Sequence, residues 1–126
     1  MLTLLSGRPV LEEPAVPRPW GGYTVLHRTR TAWVKKLMLS AGARTSLQRH
    51  RLRTEVWYVL SGTVEVQVGS RVGRHQAGDT VCVPRGVAHR LRALTAACVL
   101  EVAFGGVREG DIERLADDYG RAGPPG

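Results

Sequence analysis

Glu55–Ser70 reads EVWYVLSGTVEVQVGS. Thr63 to Val68 (TVEVQV) alternate polar and apolar without a break, as expected of a strand with one face on a core and one towards water. Glu55 to Leu60 (EVWYVL) is β-branched and aromatic. Ser61-Gly62 and Gly69-Ser70 are tight-turn signals on either side. The same grammar continues outward. On the C-terminal side Arg71 to His75 returns, Ala77-Gly78-Asp79 turns, Thr80 to Val83 is stopped by Pro84, and His89 to Leu94 and Ala97 to Phe104 follow as strands. On the N-terminal side lie Arg44 to His50, a turn at Ala41-Gly42, and the strand pair Thr31 to Ser40 and Gly22 to His27. Short strands with a turn about every ten residues predict an all-β sandwich or barrel. One helix is predicted, Asp111 to Asp118 (DIERLADD), with Asp111 as its N-cap. Residues 1–19 carry Pro9, Pro14, Pro17 and Pro19 and read as an arm that stays mobile or packs across a partner subunit. Residues 122–126 read as a disordered tail.

A chain of 126 residues is one domain with enough surface to bury for a core of its own. Its net charge of +7 favours anionic partners. The basic residues are scattered, with no recognition helix and no interleaved aromatics, which argues against nucleic acid. The two cysteines, Cys82 and Cys98, lie in apolar runs and are expected to be buried free thiols. The opening MLTLLSGRPVLEEP lacks a basic leader, and no apolar stretch approaches the roughly 20 residues of a membrane span. A cytoplasmic protein without a membrane partner is the expectation.

Two of the four histidines have motif-like surroundings. Gln48 and His50 are two apart on a predicted strand and so face one side, and Glu55 opens the next strand within reach. Pro84 and Gly86 shape a turn from which His89 enters the adjoining strand on the inner face. His27 and His75 sit at strand ends and read as surface residues. The two spacings, Gly42-x5-Gln48-x-His50-x4-Glu55-x6-Gly62 and Gly78-x5-Pro84-x-Gly86-x2-His89, resemble the two cupin motifs, with Gln48 in place of the first histidine and Ala93 in place of a frequent asparagine. Further stretches resemble the type II phosphomannose isomerase domain: Arg18 to Tyr23 (RPWGGY), Lys35-Lys36-Leu37, Gly42 to Gln48, Ser61-Gly62-Thr63, Pro84 to Arg90 and Asp117 to Arg121. Arg51, Leu52 and Val56 stand where that family commonly has histidines.

The resemblance implies a cupin-type jelly-roll β-barrel over residues 20–121, with one divalent metal held by Gln48, His50, Glu55 and His89. Two imidazoles, a carboxylate and an amide oxygen suit zinc first, with manganese, cobalt or nickel also compatible; soft Cu(I) is disfavoured. It also implies a metal-dependent aldose–ketose isomerase, taking mannose 6-phosphate to fructose 6-phosphate. Such a reaction needs a base, and Glu101 in the apolar run VLEVAF and Lys35 are the candidates. It needs cations for the phosphate, and Arg44, Arg53 and Arg90 are the candidates. A non-catalytic cupin that binds a sugar or small anion and a cupin dioxygenase are the alternatives. Gln48 speaks mildly against the dioxygenase, because iron enzymes of this fold usually have a histidine there. A homodimer is the expected assembly.

Overall fold

The computed structural model describes residues 2–3, 9–10 and 13–122. All regular structure within them is β: β1 Leu2–Thr3, β2 Pro9–Val10, β3 Val16–Arg18, β4 Gly21–Arg28, β5 Ala32–Leu39, β6 Leu47–Arg49, β7 Arg53–Ser61, β8 Thr63–Val68, β9 Arg71–Gln76, β10 Thr80–Val83, β11 His89–Ala93, β12 Ala97–Gly105 and β13 Glu113–Ala116. β1 and β2 pair with each other. The remainder form two antiparallel sheets, one in the order β10-β7-β12-β5-β4-β3 and one in the order β13-β6-β11-β8-β9. This is the expected jelly-roll barrel. Among the described residues no helix is long and apolar enough to cross a membrane.

One core cluster draws on both sheets, with Val25, Leu37, Leu39, Trp57, Val59 and Val99 from the first and Val64, Val66, Leu91 and Ala93 from the second. Each is placed there by strand alternation, and a fully buried Val or Leu contributes about 1.5–3 kcal/mol. Gly62 makes the sharp step from β7 to β8 possible. Its φ is +81°, and a Cβ there would stand 2.3 Å from the Ala96 carbonyl oxygen.

Three expectations are corrected. The predicted helix over Asp111–Asp118 is absent; β13 occupies its middle and pairs with β6, Glu113 opposite Arg49 and Arg114 opposite Gln48. Asp111 does cap backbone N–H groups, but those of Arg51 and Leu52 across the fold, at 2.9 and 3.0 Å. An open strand edge at β6 and a bidentate Arg49–Glu113 pair outweigh local helix preference. Regular structure also begins before Trp20, because Val16–Arg18 adds an edge strand to β4, the kind of place where Pro17 is tolerated. Cys98 is buried but Cys82 is exposed, on the outward parity of the edge strand β10; both are free thiols. Of the tail, residues 123–126 lie outside the described residues, as do residues 1, 4–8 and 11–12 of the arm.

Candidate functional site

The inner face of the first sheet carries the buried charged side chains Lys35, Glu55 and Glu101 where a core would normally be apolar. Trp57, Glu101 and Lys35 are aligned across β7, β12 and β5, and Glu55, Ala103 and Trp33 are aligned one step along. Ala103, fully buried, leaves room between Glu55 and Trp33 for the guanidinium of Arg53, which stands 4.6 Å above the Trp33 ring. The second sheet supplies His89 on β11, opposite Gln48 on β6, with His50 just beyond the end of β6. The Gly86 N–H donates to the His50 carbonyl at 2.6 Å and so ties the loop before His89 to the loop after Gln48.

His50, Glu55 and His89 meet, each almost fully buried, with one ligand atom apiece inside a 4.8 Å group. Both imidazoles are oriented by backbone carbonyls. His50 Nδ1–H donates to Asp111 O at 2.6 Å, and His89 Nδ1–H donates to Val87 O at 2.9 Å. Each therefore turns its Nε2 lone pair towards Glu55, at 3.3 Å for His50 and 4.0 Å for His89. His89 Nε2 is buried and has no hydrogen-bond partner among the described residues. Burial, reinforced by the Arg53 charge, lowers the His50 pKa to about 3, and burial lowers that of His89. Both are thus neutral bases at neutral pH, as metal ligation requires. An orphaned nitrogen, two oriented neutral imidazoles and a buried carboxylate fit a divalent cation. Gln48 lines the adjoining cavity and accepts from Ser46 Oγ at 3.0 Å through Oε1. Arg53 is the counterweight. It donates to Glu55 Oε2 at 2.8 Å, and its guanidinium lies 3.2 Å from His50 Nε2, the same atoms a metal would take.

The cavity beside this group is lined by Lys35, Gln48, Arg53, Trp57 and Glu101 among others. Glu101 accepts from Trp33 Nε1–H at 2.9 Å, and burial together with the nearby Glu55 charge raises its pKa to about 7. Lys35 is buried, with its ammonium 3.8 Å from the Trp33 ring centroid and 2.5 Å from Glu109 Oε1. Glu109 also accepts from Tyr23 Oη–H at 2.6 Å; burial works against its charge, but these two donors hold its pKa below the usual range. Arg53 lines the cavity, but Arg44 and Arg90 do not. Arg44 makes an exposed bidentate pair with Asp118, at 2.6 and 2.7 Å. Arg90 neighbours the inward-facing His89 and so points to the other face, where it donates to the Thr45 carbonyl at 3.0 Å.

Sequence reading missed several residues here. Trp33 shares the parity of Lys35 on one strand, and that signal was available. Glu109 acts from a loop by contacts formed across the fold, and no local pattern marks it; Asp111, read as a helix cap, acts from the same loop on His50, Arg51 and Leu52.

The family model described as "Mannose-6-phosphate isomerase C-terminal" matches residues 10–117. The chain belongs to this family. Among curated relatives it is 38% identical over 109 residues to the xanthan biosynthesis protein XanB of Xanthomonas campestris, covering 84% of this chain and 23% of that protein. It is 36% identical over 113 residues to the alginate biosynthesis protein AlgA of Pseudomonas aeruginosa, covering 87% and 24%. It is 31% identical over 122 residues to mannose-1-phosphate guanylyltransferase 2 of Escherichia coli O157:H7, covering 94% and 25%. The chain thus spans about a quarter of the length of these relatives. Solved structures agree on the fold. An RmlC-like cupin from Shewanella frigidimarina superposes with a TM-score of 0.64 at 26% identity, covering 70% of this chain and 78% of that one. A mutant of Bacillus subtilis oxalate decarboxylase OxdC superposes with a TM-score of 0.73 at 21% identity, covering 81% and 30%.

Proposed function

We propose that this member of the family is a metal-dependent aldose–ketose isomerase that interconverts mannose 6-phosphate and fructose 6-phosphate. The observation that carries the reading is a buried carboxylate, Glu101, lining a cavity beside the buried group of His50, Glu55 and His89. His50, Glu55 and His89, with Gln48 alongside, would hold one divalent cation, zinc foremost. Such an ion supplies Lewis acidity, polarising the carbonyl and hydroxyl oxygens of a bound sugar.

The chain's own groups meet the other needs of the reaction. Isomerisation removes the proton on C2 of the aldose and returns one to C1 through an enediol. A base with a pKa near the working pH is best suited to both halves, and Glu101 has that property. Trp33 Nε1–H fixes its carboxylate. Lys35, held by Glu109 and by the Trp33 and Tyr23 rings, is a donor for the oxygen that gains charge as the enediol forms.

A second reading, a sugar-binding cupin without turnover, is favoured by Arg53, whose guanidinium already engages His50 and Glu55. One experiment separates them. Protein loaded with zinc, manganese or cobalt is given mannose 6-phosphate in D2O. Formation of fructose 6-phosphate with deuterium uptake at C1 or C2, abolished in Glu101→Gln, is the expected result. Tight sugar binding with neither product nor exchange at any metal loading would replace the first reading by the second.

A further inference from the structure

β13 carries a cation into the cavity. Its alternation sends Glu113 outward to Arg49 and Arg114 inward beside Gln48. Arg114 lines the cavity together with Arg18 and Arg121. Its Nε is buried and finds no acceptor among the described residues. Its two arginine neighbours repel it, and burial with their charges pulls its pKa down. Arg121 is aimed by Asp117, which accepts from Nε at 2.9 Å and from the terminal nitrogen at 3.0 Å. Among the described residues Arg18 has only neutral acceptors, the Pro17 carbonyl at 3.0 Å and Tyr23 Oη at 3.5 Å. Three guanidiniums line one cavity and, among the described residues, have one carboxylate as a hydrogen-bond partner, which leaves them with an excess of positive charge. A buried N–H without an acceptor costs about 1–3 kcal/mol, so an anion that supplies the acceptor is favoured here. The fork of donors on each arginine matches the oxygens of a tetrahedral dianion.

We propose that Arg18, Arg114 and Arg121 form the cradle for the phosphate group of the substrate, on the wall beside Gln48. Arg44 and Arg90, the arginines that flank the motifs in sequence, take no part. This assignment rests on the sugar-phosphate reading for its ligand but not on turnover. It selects phosphate monoesters over neutral sugars, and it puts the specificity of the site in β3 and the segment after β12.

The test is binding without catalysis. Thermal midpoints of the full chain as purified are followed against inorganic phosphate, mannose 6-phosphate and mannose, before and after treatment with a chelator. A ligand that binds only the folded state raises the midpoint in proportion to ln(1 + [L]/Kd). Phosphate and mannose 6-phosphate are expected to raise it, and mannose to leave it unchanged. Arg114→Gln and Arg18→Gln are each expected to weaken the apparent phosphate affinity at least about tenfold, while Arg44→Gln and Arg90→Gln leave it within about twofold. Arg114→Lys, which keeps the charge but loses the fork, should recover part of it. Folding failure is not a refuge, because in phosphate-free buffer Arg114→Gln relieves repulsion and should melt no lower than the parent. The proposal is overturned by an unchanged phosphate response in Arg114→Gln and Arg18→Gln. It is equally overturned by a response that disappears with the chelator or by no phosphate response at all. If the isomerase reading fails while the arginine-dependent response remains, the cradle stands as the anion site of a binding protein.

Discussion

Replacing Glu101 by Gln keeps an oxygen for Trp33 Nε1–H and removes one titration from the buried interior. The carboxyl pKa is moved from 4.5 to about 7 by burial and by the Glu55 charge. An unfolded chain releases that proton near 4.5, whereas the folded chain keeps it until about 7. Stability therefore falls as pH rises between those values and is level above them. At about 1.36 kcal/mol for each pH unit, the folded protein loses about 3 kcal/mol by pH 8 and less than about 1 kcal/mol at pH 5. The Gln variant escapes the loss. In metal-stripped protein, where no cation offsets the charge, it is expected to melt about 10 °C above the parent at pH 8 and within a few degrees of it at pH 5. Circular dichroism melts of both proteins at the two pH values measure this directly. A Gln variant no more stable at pH 8, or equally stabilised at both pH values, would refute the placement of Glu101 as a strained functional acid. The same substitution should abolish isomerisation, so a gain in stability with a loss of activity is the signature sought.

Trp33→Phe removes a side-chain donor to Glu101, so the acid limb of the kcat/KM pH profile should move up by about one pH unit with the maximum rate reduced. Asp111→Ala strips the acceptors from the Arg51 and Leu52 N–H groups; a loss of about 1–2 kcal/mol in chemical denaturation and a metal affinity about tenfold weaker by calorimetry are expected, since that loop holds His50. Gly62→Ala forces a Cβ into the Ala96 carbonyl and should lower stability by more than about 2 kcal/mol, read from the urea midpoint. Met38, Tyr58, Leu60 and Phe104 are exposed on β5, β7 and β12, and we propose this face as the contact of a homodimer; Tyr58→Glu should convert a dimeric elution volume to a monomeric one in light-scattering chromatography.

The resemblance of two spacings to the cupin motifs implied that His50, Glu55 and His89 meet; a period of two by itself says only that Gln48 and His50 share a face. Lys35 and Glu101 were legible from that period, as charged residues at inward parity. The failures have a common cause. Arg90 was chosen for its nearness to His89 in sequence, yet adjacent strand residues point to opposite faces. Asp111 was read as a cap and is one, but for Arg51 and Leu52, some sixty positions earlier. DIERLADD has a respectable helical pattern, and only the open edge of β6 decides that it becomes β13. Such contacts depend on what lies across the barrel, and a local window does not contain it.

The carbonyl of Asp111 that receives His50 Nδ1–H has a consequence for the order of synthesis. A ribosome adds about 5–20 residues each second, so His50 and Glu55 leave it several seconds before Asp111 does. Until then nothing selects the imidazole tautomer, and the chain that has emerged can collapse with its histidines turned either way. The nascent protein is in this sense proofread by a segment made later: ions that arrive early meet a loose pair of rings, and the loop before β13 sets the tautomer of His50.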